Sequence, residues 1–313
     1  MGIKGLTKLL RTKTPEAFRE RPISDYAGKR VAIDSSMHMY QFVTAVGNSL
    51  TNMDGEVTSH LNGMFYRTIR MLEAGVIPVY IFDGQAPDGK RNCLEARRGA
   101  TGSDHFFQQQ QSSTRVRHGI TLCKTMLELM GIEYVNAPSE AEAQAAIMCQ
   151  TNEVDYVATE DTDALAFGSP VMLRQFSHGK KMTLEINLER VLKGLKLTKH
   201  QFVDFCILCG SDYAKTMKGI GPIRALQLIQ EHGSIESIIQ SIDLEKHPIP
   251  EKWNYEEAQM LFFNPLVNND VKLSKQPWNS SMMREQELID FLVNTNGFDR
   301  DRCQKAIKRI KKE

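Results

Sequence analysis

The sequence predicts an α/β fold in which helices flank a central, mainly parallel twisted sheet. Two observations predict it. Strand-length apolar runs alternate with amphipathic helical stretches along the N-terminal part of the chain. An aspartate also stands at or just beyond the end of three of those runs, the edge where open α/β sheets bind ligands.

The elements follow in order. In "KRVAIDSSMHMYQF" a buried strand ends at Asp34, and a helix follows with Ser35 or Ser36 near its start. "SHLNGMFYRTIRMLEAG" is amphipathic and stops at Gly75. "VIPVYIFDG" is a second buried strand, ending at Asp83. "GIEYVN" precedes a helix opening at Ser139, and "VDYVAT" is a fourth strand leading to Asp161. Residues 99–116, beginning "GATGSDHFFQQQQSST", are polar and include a glutamine tract, which predicts a mobile loop or a segment that orders on binding. From Thr198 onward the strand signal fades and helices dominate.

A chain of 313 residues, 41% hydrophobic and 25% charged, reads as a globular protein of one large domain or two modest ones. No apolar run reaches bilayer length, and the N-terminus lacks a secretory signal. "MGIKGL" lacks the Ser or Thr that myristoylation wants at Leu6. Six irregularly spaced cysteines suggest reduced thiols, and the lone pair Cys206 and Cys209 suits an apolar helix face better than zinc. The net charge of +1 requires any polyanion-binding surface to be local. The tail "DRDRCQKAIKRIKKE" is equally well a basic patch or a solvated helix end.

Carboxylates are the unusual feature. Glu140 with Glu142, and Asp161 with Asp163, form two i, i+2 pairs around an apolar stretch. Taken alone, the first pair is explained by a capping box running from Ser139 to Glu142. Asp161 and Asp163, read as extended, share one face and can reach one centre. An EF-hand fails, since Ala166 and Met172 occupy positions needing Gly and an acid. A phosphatase DxDxT/V motif fails at Leu165. Asp212 in "GSDY" is by itself a turn residue. Together, Asp34, Asp83, Glu140, Glu142, Asp161, Asp163 and Asp212 are more carboxylates than one Mg²⁺ needs, and suit a cation pair about 3.5–4 Å apart in phosphodiester hydrolysis.

With these residues in view, the chain resembles the flap structure-specific endonucleases of the 5′-nuclease, XPG-like superfamily. The stretches that carry the resemblance are "MGIKGLTKLL", "VAIDSSMHMYQF", "TSHLNGMFYRTIRM", "VYIFDG", "APSEAEAQAA", "ATEDTDALAFGSP" and "LCGSDYAKTMKGIGPIRALQLI". It implies a PIN-like nuclease fold with a helical arch and a helix-two-turn-helix element. It implies one nuclease domain over 1–313: an N-terminal part (1–98), a shortened arch (99–116), an internal part (117–197), the helix-two-turn-helix (198–235) and a C-terminal helical part (236–313).

The resemblance further implies that the seven acids hold two Mg²⁺ ions, with Mn²⁺ as a substitute, and that a water activated there attacks the phosphate near a 5′ flap junction. Lys90 and Arg97 match the basic pair at the arch base, and Tyr40 a tyrosine that stacks on the nucleobase beside the cut. For DNA binding, Arg67 and Arg70 match phosphate-steering arginines, Thr58 the lining of a 3′-flap pocket, and Gly2 a glycine near the active site. "KGIGPIRALQLI" matches the helix-two-turn-helix turn, with Gly219, Gly221 and Arg224 at the duplex backbone and K⁺ on the carbonyls of Thr216, Met217 and Ile220.

Three departures stand out. The arch is short and glutamine-rich, with only Arg115 and Arg117 as basic counterparts. Ile223 replaces a usual Lys. "QELIDFLV" lacks the aromatics of a clamp-binding motif, so the chain reads as C-terminally truncated and this stretch as core helix.

The expectation is a monomeric nuclear enzyme, with a mitochondrial location also open, acting on 5′ flap, double-flap and nicked DNA in lagging-strand maturation and base excision repair. A sliding clamp is the expected partner of the full-length protein, and a membrane is not. The alternatives are a 5′→3′ exonuclease or gap endonuclease of the same superfamily and, from another class, a non-catalytic module that binds branched DNA.

Overall fold

The computed structural model describes residues 2–36, 51–52, 55, 57–87, 90, 114–177, 179 and 181–311, without the side chains of 114–116. Tyr40, Arg97, the side chain of Arg115 and most of the arch lie outside the described residues.

Among the described residues, seven strands form one mixed sheet. They are β1 (Phe18–Arg21), β2 (Arg30–Asp34), β3 (Ile77–Phe82), β4 (Tyr134–Asn136), β5 (Tyr156–Ala158), β6 (Val171–Arg174) and β7 (Thr183–Asn187), in the spatial order β1-β7-β6-β5-β2-β3-β4. From β6 to β4 every neighbouring pair is parallel. β7 runs antiparallel to both β6 and β1, closing one side of the sheet. The four strands read from the sequence, β2 to β5, form its parallel part together with β6. β1 escapes a hydrophobic reading because FRER is short and half-exposed, and among the described strands it pairs only with β7.

Alternation along the central strands assigns each face its own core. Val31, Ile33, Tyr80 and Phe82 face one way, and Ala32, Val79 and Ile81 the other. The first face is covered by α2 (Ser59–Glu73), α3 (Thr114–Leu129), α11 (Glu285–Asp290) and α12 (Arg300–Ile310), which bury Leu61, Met126, Leu288 and Ile307 among others. The second is covered by α1 (Leu6–Lys13), α4 (Ala141–Gln150), α5 (Asp163–Ala166), α6 (Leu188–Leu195), α7 (Lys199–Cys209), α8 (Pro222–His232), α9 (Ile235–Ser241) and α10 (Tyr255–Phe263). Both sides of a parallel sheet are thus kept from water.

Local chemistry explains the helices that matter to the site. α4 buries Ala141, Ala143, Ala145 and Ala146, whose small side chains admit it close to the strands beneath. α7 opens with a reciprocal capping box, in which Gln201 N–H donates to Thr198 Oγ1 at 3.2 Å and Thr198 N–H to Gln201 Oε1 at 2.9 Å. Cys206 and Cys209 are buried on it, and burial pushes both thiols up, as befits core residues. The basic tail is α12: Cys303, Ala306, Ile307 and Ile310 join the core while Arg309 pairs with Glu73 at 3.1 Å. "QELIDFLV" is core as expected, passing from α11 into a π-helical turn with Leu288, Ile289 and Leu292 buried.

Candidate metal centre

The parallel register brings the strand ends to one lip. Asp34 closes β2 opposite Ile81 of β3, while Ile33 pairs with Ala158 at the end of β5. Asp83 follows β3 directly, and Asp161 lies three residues past β5. Asp34 is 2% exposed and accepts a hydrogen bond from Thr159 Oγ1 at 2.8 Å. The same hydroxyl oxygen accepts from Asp161 N–H at 3.0 Å, so one threonine ties two strand ends together.

The first acidic pair does not form a capping box. Ser139 Oγ donates instead to the carbonyl of Gln85 at 3.0 Å. Glu140 occupies the N-cap of α4 in extended backbone (φ −77, ψ 132), and no side-chain bond is made there. The helix is capped from outside: Asp83 Oδ1 accepts the Ala141 N–H at 2.7 Å. Glu140, freed from its own helix, pairs with Lys90 and accepts from the Tyr213 hydroxyl at 3.2 Å. Because it precedes the helix while Glu142 lies in its first turn, the divergence of i and i+2 on a regular helix does not apply.

The second pair is not extended either. Thr162 has helical backbone and Asp163 begins α5, with its N–H donating to Asp161 Oδ1 at 2.9 Å. This turn still gathers the acids. Asp161, Asp163 and Asp212 each offer a carboxylate oxygen, all within 4.8 Å of one another. The backbone of Gly2 closes the site from behind: with φ +84, an added Cβ would lie 2.3 Å from Asp161 Oδ1. Ile3 N–H donates to Thr162 Oγ1 at 2.9 Å, pinning the N-terminal segment there.

The electrostatics follow from this crowding. Burial, then Asp34, Asp161 and Asp83, hold the half-buried Glu142 well above the usual carboxylate range. Burial, then Asp161 and Asp212, do the same to Asp163. Burial raises Asp161 and Glu140 too, while Lys90 pulls both down. Burial opposes the Lys90 charge, but Glu140 and Glu142 override it and hold its pKa well up. Asp163 Oδ1 is buried and has no hydrogen-bond partner. An all-oxygen donor set with an unsatisfied buried carboxylate oxygen fits a hard divalent cation.

The other sequence-predicted residues among those described belong to α2 and its N-cap, and to the turn between α7 and α8 and the start of α8. Thr58 is the buried N-cap of α2, and Arg67 is only 5% exposed, burial lowering its pKa to about 10. Arg70, half-buried on the same helix, donates to the Ser177 carbonyl at 2.8 Å. In the loop after α7, Met217 O accepts from Ile220 N–H at 3.3 Å, and Thr216 is half-buried. Lys218 O is bonded by His247 Nδ1 at 2.9 Å and Lys215 O by Trp253 Nε1 at 2.8 Å, so a second loop braces this turn. Gly219 takes φ +77 against the His247 ring, Gly221 N-caps α8, and Arg224 is exposed one residue after Ile223, which is 68% exposed. Thr159, Thr162 and Tyr213 were missed as contributors. Their signal lay in "ATEDTD" and "GSDY", beside the acids that drew attention.

Comparison with known proteins supplies the family. Residues 1–103 match the XPG N-terminal domain and residues 131–212 the XPG I-region. Flap endonuclease 1 of Glycine max is 46% identical over 334 residues, covering 99% of this chain and 87% of the relative. Flap endonuclease 1 of Bos taurus is 44% identical, covering 100% and 87%. Among solved structures, the flap endonuclease-1 of Methanococcus jannaschii superposes with a TM-score of 0.74 at 32% identity, covering 94% of this chain and 95% of that one. The catalytic core of Rad2 in complex with DNA substrate shares the fold, with a TM-score of 0.79 at 24% identity over the whole of both chains. The chain belongs to the flap endonuclease family of structure-specific DNA nucleases, built from the XPG N-terminal and I regions.

Proposed function

We propose that the chain is a Mg²⁺-dependent 5′ flap endonuclease that cuts DNA near the flap–duplex junction, with two cations at the acidic lip. The observation that carries this reading is the group Asp161, Asp163 and Asp212, with oxygens within 4.8 Å and a buried Asp163 oxygen left unpartnered. Asp34, Asp83, Glu140 and Glu142 extend the donor set along the same lip. When bound there, the cations supply Lewis acidity and an activated water for phosphodiester hydrolysis.

The chain's own groups do the positioning. Lys90, held in the site by Glu140, is placed to stabilise charge on the scissile phosphate. We assign the same role to Arg97, and base stacking to Tyr40, on the resemblance alone. Arg67, Arg70, Thr58 and Gly2 line the approach of the branched substrate. The carbonyls of Thr216, Met217 and Ile220 would hold K⁺ at this turn, and Gly219, Gly221 and Arg224 would grip the duplex backbone. Such contacts read phosphate position, which makes the specificity geometric. The proposed setting is nuclear replication and repair.

The test is cleavage of a labelled double-flap substrate. Cutting near the junction is expected with Mg²⁺ and should stop with Ca²⁺ or chelator. Asp161→Asn should abolish cutting while flap affinity stays nearly constant. A rate equal to wild type in that variant removes the metal assignment, and equal cutting of flap and plain nicked duplex removes the flap assignment.

A further inference from the structure

Tyr213 follows Asp212 in the sequence, yet its side chain is almost fully buried. Phe167 and Phe262 meet its ring edge-on, at centroid distances of 6.1 and 5.0 Å. A tyrosine needed only to fill this space could be a phenylalanine. Here the hydroxyl reaches a carboxylate of the site, donating to Glu140 Oε2 at 3.2 Å. That same oxygen is the partner of Lys90 Nζ. The Lys90 ammonium also lies 5.9 Å from the centroid of the Tyr213 ring, within reach of a cation–π attraction. One buried side chain therefore touches both members of the ion pair.

Glu140 needs such support. As the N-cap of α4 it makes no side-chain bond to its own helix. With the Lys90 and Tyr213 donors both on Oε2, its orientation is set from outside the helix and Oε1 is left to face other partners. We propose that Tyr213 is a positioning residue for hydrolysis. Its hydroxyl fixes the Glu140 carboxylate so that one oxygen serves Lys90 and the other serves a cation, and its ring sets the height of the Lys90 ammonium. This rests on the nuclease reading above, and adds a residue that touches neither substrate nor cation.

Tyr213→Phe in the full chain is the test, because it removes one oxygen and keeps the ring and its packing. Losing a hydrogen bond to a charged group predicts a single-turnover cleavage rate lower by about ten-fold and Mg²⁺ binding, measured by calorimetry, weaker by several-fold. Flap affinity in Ca²⁺ should be unchanged. Since part of the effect passes through the ion pair, Tyr213→Phe added to Lys90→Ala should slow that variant by less than it slows the wild type. Wild-type Mg²⁺ affinity and rate in Tyr213→Phe overturn the proposal. So do two effects that multiply alongside a lowered Tm, since that pattern marks packing alone. Failure of the wild-type chain to cut flaps refutes the nuclease reading instead, while calorimetry still decides the place of Tyr213.

Discussion

Asp163 shows at the scale of one residue why this site is built against the stability of the protein. It is 3% exposed, it has an unpartnered oxygen, and two further aspartates lie within ligand distance. Without a cation, a negative charge on Asp163 opposes folding. Asp163→Asn should therefore stabilise the cation-free protein, by roughly 1–2 kcal/mol on the scale of relieving a buried unsatisfied group, while abolishing cleavage. The pH dependence has a definite sign. Glu142 and Asp163 hold their protons in the folded chain well above the usual carboxylate range. The folded state thus binds more protons once pH exceeds the unfolded value of about 4, and stability falls as pH rises until the raised folded pKa is passed. Melting in chelator from pH 4 to 8 should show the Asp163→Asn advantage growing with pH, and Mg²⁺ should remove it by stabilising wild type alone. An advantage independent of pH would mean that charge is not its source.

Among elements, α4 carries most of the design. Its N-terminus is aimed into the lip and capped by Asp83, a residue 58 positions away in sequence. The capping box legible from Ser139 to Glu142 was the wrong local reading, because a tertiary partner satisfied the first N–H and released Glu140 to Lys90 and Tyr213. The extended reading of Asp161 and Asp163 failed similarly, since a side-chain-capped turn brings the same carboxylates together. Spacing thus identified the acids without giving the backbone that presents them. The central strands were legible because they are buried on both faces, whereas β1 is short and charged and is specified only by β7. The cap made by Asp83 and its proposed metal role can be separated by substitution. Asp83→Ala removes both the cap and the proposed ligand and should lower stability by about 1 kcal/mol, the usual value of an N-cap. Asp83→Asn keeps an acceptor for Ala141 N–H and should hold wild-type denaturation midpoint. Both should lose cleavage. Equal midpoints for the two variants would show that the Ala141 contact does not stabilise α4.

At the scale of the whole molecule, a chain of net charge +1 has to hold a polyanion with a surface that its acidic lip partly repels. Grip on the duplex must come from basic groups placed away from that lip, and the proposed grip is the loop leading into α8. Gly219 and Gly221 let the backbone come close to a ligand, the brace from His247 and Trp253 fixes the turn, and Arg224 is exposed on the first turns of α8. The neighbouring Ile223 contributes exposed apolar surface where a cation would strengthen the grip, so Arg224 carries a larger share of the local charge. Each phosphate neutralised adds close to one unit to the slope of log affinity against log salt on duplex DNA. Binding of a double-flap substrate in Ca²⁺, followed by anisotropy across a salt series, should therefore weaken steeply despite the near-neutral net charge. Arg224→Ala should reduce that slope by roughly one and weaken binding about equally for all base sequences. Ile223→Lys should raise it by a similar amount. An unchanged slope in Arg224→Ala would place the duplex on another face of the molecule, and the turn after α7 would then be a structural brace for Asp212 with no contact to DNA.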